Sequence, residues 1–174
     1  MRHPSILPPR TGKGAETASV KLSIKMSNCC AFTGHRVLQD LDFALLDRVI
    51  KNLIKNGYNR FMCGMARGFD MAAAESVISL KSEFPDVSLV ACIPCEGQER
   101  YFPAADRARY KRILENCSEV IYLSDYYYSG CMHVRDRFMV DNCNAVVCYL
   151  RKKTGGTYYT VKYAEKKGVK CIQV

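Results

Sequence analysis

No apolar run in this sequence approaches the ~18 residues that a helix needs to cross a bilayer. The N-terminus also lacks the apolar stretch of a secretory signal, so neither a membrane span nor export is expected and a cytoplasmic protein is the default. Ten cysteines are present, but only Cys92 and Cys95 have CxxC spacing. A zinc centre needs a second such pair, so no metal site is expected. Cys29, Cys30, Cys63, Cys92, Cys148 and Cys171 sit inside apolar segments. That placement suits buried reduced thiols and not a disulfide framework. Internal repeats are absent, and so is the GxGxxG fingerprint of the usual dinucleotide fold.

What is present bounds the class. The 174 residues, 48% apolar and 25% charged, suffice for one soluble domain with a real core. The net charge of +9 is unevenly spread: residues 1–25 hold Arg2, Arg10, Lys13, Lys21 and Lys25 against Glu16, a net +4, leaving +5 for the rest. The first segment is rich in Pro, Gly, Ser and Thr and shows no periodicity. Residues 1–27 therefore read as a mobile basic tail and 28–174 as a single domain. Met26, just before the ordered pattern, is a candidate natural start. A mildly basic domain suits a phosphate-bearing small ligand as well as nucleic acid, and weak nucleic-acid binding is expected of the tail.

From Cys29 onward, short apolar runs alternate with amphipathic stretches. CCAFT, Arg60–Cys63, SLVACI, EVIYLS, AVVCYL and KCIQV read as six strands. Leu46, Val49, Ile50 and Leu53 recur at helical spacing before Gly57. Further helices are expected after GMARGFD, around Arg109–Leu114, over Cys131–Asn142, and from Thr157 to Gly168. This alternation predicts an α/β Rossmann-like three-layer fold: a mostly parallel six-stranded sheet with helices on both faces.

The loops TGHR, GMARGFD, PCEGQ, SDYYYSG and KKTGG all leave the carboxyl end of a strand, and seven of the eleven glycines lie in them. Ligands of such sheets sit beyond that end, where the strand order reverses. Gly155 and Gly156 follow three cations, Arg151, Lys152 and Lys153, and open a helix whose first N–H groups can hold an anion; a tight turn is the plain alternative. Thr33 and Arg36 offer a hydroxyl and a bidentate phosphate donor, and Gly34 allows close approach. His35 is either a ligand contact or a loop imidazole. The turn from Gly64 through Met65, Ala66 and Arg67 to Gly68 could form an anion nest, with Asp70 as helix N-cap. Glu75 is a solvated helix residue or a ligand contact. Arg135, on a face with Met132 and Met139, wants an anion, while Tyr126, Tyr127 and Tyr128 either stack a base or pack sideways.

Taken together, FTGHR, GMARGFDMAAAE, GCMHVRDRFMVD and KTGGTYYTVKYA resemble the SLOG superfamily, the Rossmann-like group containing DprA/Smf and the LOG nucleotide hydrolases. They look most like its YpsA-like branch, over Cys29 to Val174. The resemblance implies a domain that binds nucleotide-derived ligands such as NAD or ADP-ribose derivatives. It implies no required cofactor, and self-association as a homo-oligomer. The LOG enzymes carry MHxRKxxM and then PGGxGTxxE. Met132-His133-Val134-Arg135 with Met139 matches the first, which implies a phosphate or ribose role for Arg135. Gly156-Thr157 matches the GT of the second, and the catalytic glutamate falls on Thr160. A threonine neither stabilises oxocarbenium-like charge nor acts as a general base at neutral pH. Hydrolysis would then need Glu75, Asp70 or Arg135. The GGTxxTxxxA start also resembles DprA, which binds single-stranded DNA.

The expected ligand-binding set is Thr33, Gly34, His35, Arg36, Gly64, Met65, Ala66, Arg67, Gly68, Asp70, Glu75, Tyr128, Arg135, Gly155, Gly156 and Thr157. Three functions compete. The first is a sensor, sequestering or regulatory protein for a phosphate-bearing nucleotide derivative. The others are a LOG-like nucleotide hydrolase and a DprA-like single-strand binder.

Overall fold

Alternate residues along the apolar segments are buried on opposite sides, the period-two signature of strands covered on both faces. The computed structural model describes residues 10–11 and 28–174. A two-residue strand β1 (Arg10–Thr11) pairs antiparallel at the edge of six parallel strands. These are β2 (Cys29–Gly34), β3 (Arg60–Cys63), β4 (Ser88–Ile93), β5 (Glu119–Tyr122), β6 (Ala145–Tyr149) and β7 (Lys170–Gln173). Five helices connect them: α1 (Phe43–Lys55), α2 (Phe69–Leu80), α3 (Ala104–Glu115), α4 (Cys131–Asp141) and α5 (Gly155–Lys166). The order across the sheet is β1-β5-β4-β3-β2-β6-β7.

The chain steps outward from β2 to β5, then returns to the other side of β2 and continues outward through β6 and β7. Right-handed crossovers put helices of opposite travel on opposite faces. Accordingly Leu46, Ile50, Val77 and Ile113 of α1–α3 pack with Phe32, Phe61, Leu89 and Val147. Met139, Val140, Val161 and Ala164 of α4 and α5 pack with Ala31, Met62, Val90 and Val146 on the other face. The reversal falls between β2 and β6, whose last paired residues are Gly34 and Tyr149. All ten cysteines are unpaired and eight are buried. Burial pushes the Cys92 thiol up and that of Cys95 to about 11, which keeps both protonated at neutral pH.

Two local expectations are corrected. Asp70 is not the N-cap of α2: Gly68 occupies that position at φ 85°, and Asp70 lies in the first turn. Position 68 requires glycine, since a Cβ there would run into the Arg36 backbone, and the Asp70 carboxylate reaches back to the Ala66 N–H instead of capping the helix. Helix α5 starts at Gly155, two residues before Thr157, because Gly155 at φ 79° takes up the change of direction. Gly168, at φ 70°, ends that helix by donating to the Glu165 carbonyl. The mobile-tail expectation for residues 1–27 lies outside the described residues except at Arg10–Thr11.

Gly57 has a similar φ of 89° but open space around it. Gly68→Ala is therefore expected to cost ~2–4 kcal/mol in urea unfolding, from backbone strain plus collision, and Gly57→Ala only ~1 kcal/mol. Equal losses would show that the Arg36 contact carries nothing.

Candidate functional site

The exits of β2, β3, β4 and β6 and the first turns of α4 and α5 meet at one cleft of about 820 Å³. Its position is the crevice opened by the strand-order reversal. Backbone hydrogen bonds lock three of these loops together. The His35 N–H donates to the Tyr149 carbonyl at 3.2 Å, and the Phe69 N–H donates to the His35 carbonyl at 3.1 Å. The imidazole joins them: Lys152 N donates to His35 Nε2 at 3.1 Å. Burial, then the nearby Lys152 and Arg151 charges, hold His35 below its ordinary pKa of 6.5, so it is neutral at pH 7 and free to accept.

Cations collect on one side of the cleft. Arg36 and Lys152 line it and form no ion pair among the described residues. Gly156 and Thr157 line it as well, and the N-cap residue Thr154 makes no side-chain hydrogen bond to α5. The opening amides of that helix are left for a ligand. Arg151 is committed elsewhere, donating to the carbonyls of Val174 at 3.0 Å and Asp40 at 3.3 Å while its guanidinium covers the Tyr149 ring. Arg67 is held by Asp106 at 2.6 Å.

The opposite side is a buried ionic network. Arg135 donates through Nε to Asp136 Oδ1 at 2.7 Å and through its guanidinium to the Gly64 carbonyl. Asp70 Oδ2 accepts from the Ala66 N–H at 3.2 Å. Burial raises the Asp70 carboxyl from 3.8 to about 6, against the opposing pull of Arg135 and the Ala66 N–H, while Asp136 adds to the rise.

The YpsA family model, described as a SLOG family, matches residues 32–172. The chain belongs to the SLOG family. It is similar to the prophage-derived protein YoqJ of Bacillus subtilis, 30% identical over 131 residues, covering 68% of this chain and 77% of that one. A UPF0398 protein of Halalkalibacterium halodurans is 29% identical over 124 residues, covering 70% of this chain and 66% of its own. Among solved structures, DNA processing protein A from Helicobacter pylori, described for its single-stranded DNA binding mode, superposes with a TM-score of 0.64 at 18% identity. DprA from Streptococcus pneumoniae gives 0.64 at 19%. The matches cover 84% and 86% of this chain but 64% and 50% of those two. They establish the same fold.

Among the residues expected at the SLOG site, Thr33, Gly34, His35, Arg36, Ala66, Arg67, Asp70, Arg135, Gly156 and Thr157 line the cleft. The other six do not. Gly64, Met65 and Gly68 shape the turn beneath it: Met65 is buried at φ 56°, and a Cβ at Gly64 would fall on the Arg135 guanidinium and the Asp70 carboxylate. Gly155 sits just outside at the helix start. Glu75 is corrected to a structural acid. Burial would raise its carboxyl, but Arg109, at 2.7 and 2.6 Å, and Arg112 hold it low. Tyr128 packs edge-on to Tyr126 and does not line the cleft. Arg135 does not await a ligand anion, since its charge is already met by Asp136 and the Gly64 carbonyl. Thr160, where the resemblance would put the LOG glutamate, is buried and bonds back to the Gly156 carbonyl at 2.9 Å.

Residues not foreseen include Gln98, Tyr101 and Phe102 from the β4 exit, His133 and Asp136 from α4, and Lys152. The motif loop PCEGQ pointed at Gln98, and the cation run after β6 pointed at Lys152. Tyr101, 89% exposed, lines the cleft, which Tyr128 does not.

A carboxyl whose folded pKa is raised stabilises the fold fully below its unfolded value, and that contribution is lost as pH rises through the folded value. For Asp70 the window runs from 3.8 to about 6. The stability of the wild type relative to Asp70→Asn is expected to fall by ~2–3 kcal/mol between pH 4 and pH 7 in urea titrations. A constant difference would refute the raised carboxyl.

Proposed function

We propose that the protein binds a small phosphate-bearing nucleotide derivative in this cleft and acts as a sensor, sequestering or regulatory protein. The observation that supports this most is the meeting of the uncapped α5 start with the unpaired Arg36 and Lys152 at the switch point. Helix amides and two free cations suit a phosphate or diphosphate. Tyr101 offers an exposed ring for a base at the same opening. Thr160, buried and hydrogen-bonded within its own helix, supports binding over LOG-type hydrolysis, since it brings no carboxylate to a scissile bond.

Single-stranded DNA binding is the second reading, favoured by the fold shared with the Helicobacter protein. It predicts oligonucleotide affinity that falls steeply with salt. The nucleotide reading predicts calorimetric binding to at least one of ADP-ribose, NAD and nucleoside monophosphates, with no free base released. Arg36→Ala and Lys152→Ala are each expected to weaken that binding ~10-fold with Tm unchanged, the loss of one charge-assisted contact. Silence across the panel to millimolar concentration, with tight oligonucleotide binding, would favour the second reading.

A further inference from the structure

The cleft divides by hydrogen-bonding character, and its floor has acceptors to spare. Gln98 Nε2 donates to the carbonyls of Gly64 at 3.2 Å and Met65 at 3.0 Å. Both amide protons face main-chain oxygen, which orients the side chain and leaves Oε1 as the acceptor. That oxygen is buried and has no partner among the described residues. The Gly64 carbonyl also receives the Arg135 guanidinium, so Gln98 and Arg135 meet at one atom. Arg135 in turn engages only Oδ1 of Asp136. Oδ2 of Asp136 is 3.9 Å from His133 Nδ1, beyond a hydrogen bond, although the residue is 8% exposed and faces the cleft. Asp70 belongs to the same cluster, with Oδ2 on the Ala66 N–H and its carboxylate beside Gly64.

A buried acceptor left unpaired in a native fold, here Gln98 Oε1, calls for an explanation. A phosphate cannot supply it, because it brings further acceptors and negative charge to two carboxylates. A metal cation is disfavoured by the guanidinium already seated among them. The complement is a neutral group with adjacent O–H donors. We propose that the floor around Gly64 holds the 2′,3′-diol of a ribose, with Asp136 Oδ2 and Gln98 Oε1 as its acceptors. The ligand is then a ribonucleotide or ribose phosphate and not a deoxy compound. This assignment rests on the phosphate-binding reading above and adds the sugar to it. With the cationic side of the cleft taking the phosphate, the ribose lies between that phosphate and the opening lined by Tyr101.

The test uses base-free probes on the full chain: ribose 5-phosphate, 2-deoxyribose 5-phosphate and inorganic phosphate, compared by calorimetry. Ribose 5-phosphate is expected to bind at least ~10-fold more tightly than either of the others, the effect of a lost hydroxyl contact to a charged acceptor. Asp136→Asn, which replaces the free acceptor by a donor, is expected to bring the two sugar phosphates within ~2-fold of each other while inorganic phosphate binding is kept. Equal binding of the two sugars by the wild type would overturn the diol assignment and leave the phosphate site standing. So would inorganic phosphate binding as tightly as ribose 5-phosphate, or a preference that survives Asp136→Asn. No binding of any probe would overturn both readings. The wild-type comparison decides the matter even where the variant does not fold.

Discussion

A guanidinium buried between two layers sets the terms for the whole carboxyl end of the sheet. Arg135 comes from α4 on one face, yet its partner is the carbonyl of Gly64 at the exit of β3. A buried charge left without partners is strongly destabilising, so α4 and the β3 exit are constrained together. That contact forbids a side chain at residue 64. It also draws Asp136 and Asp70 into low-dielectric surroundings, where carboxylates survive only because a cation is near. The pair of acids is thus a consequence of seating Arg135, and the cleft floor inherits its acceptor character from it.

The cationic side has a different origin. There the chain leaves β2 and β6 side by side, travelling to opposite flanks, which opens a gap between their exits. His35 spans it, with its backbone bonded to both Tyr149 and Phe69 and its ring accepting from Lys152. Because burial and two cations keep that ring neutral, the bridge persists at physiological pH without adding positive charge. The polarity of the cleft, cations at one side and acceptors at the other, follows from two structural necessities meeting at one place.

Some of the site was legible in the chain and some was not, for identifiable reasons. Glycines and cations at strand exits mark the cationic rim of the cleft because each carries its character locally: backbone freedom at Gly155, an uncommitted charge at Arg36. Glu75 misled because a carboxylate one turn past a binding loop reads the same whether it faces a ligand or a neighbouring helix. Arg109, on α3, decides which. Tyr128 misled because three consecutive tyrosines say nothing of the direction in which a loop turns. Tyr101 carried no local signal and Gln98 only its place in a strand-exit loop; the packing of the β4 exit against the Gly64 turn is what brings Gln98 to the cleft.

The sequence by itself determined the six parallel strands and the five helices. Apolar runs of strand length, helical periodicity and glycine stops are properties of neighbours along the chain. It also determined that the carboxyl ends of the strands carry the unusual residues, and that the family is SLOG. Only the tertiary structure decided which charges are already satisfied and which remain open. Whether an arginine or a carboxylate is free depends on partners tens of residues away, as with Arg135 and Gly64 or Glu75 and Arg109, and local spacing holds no record of that pairing.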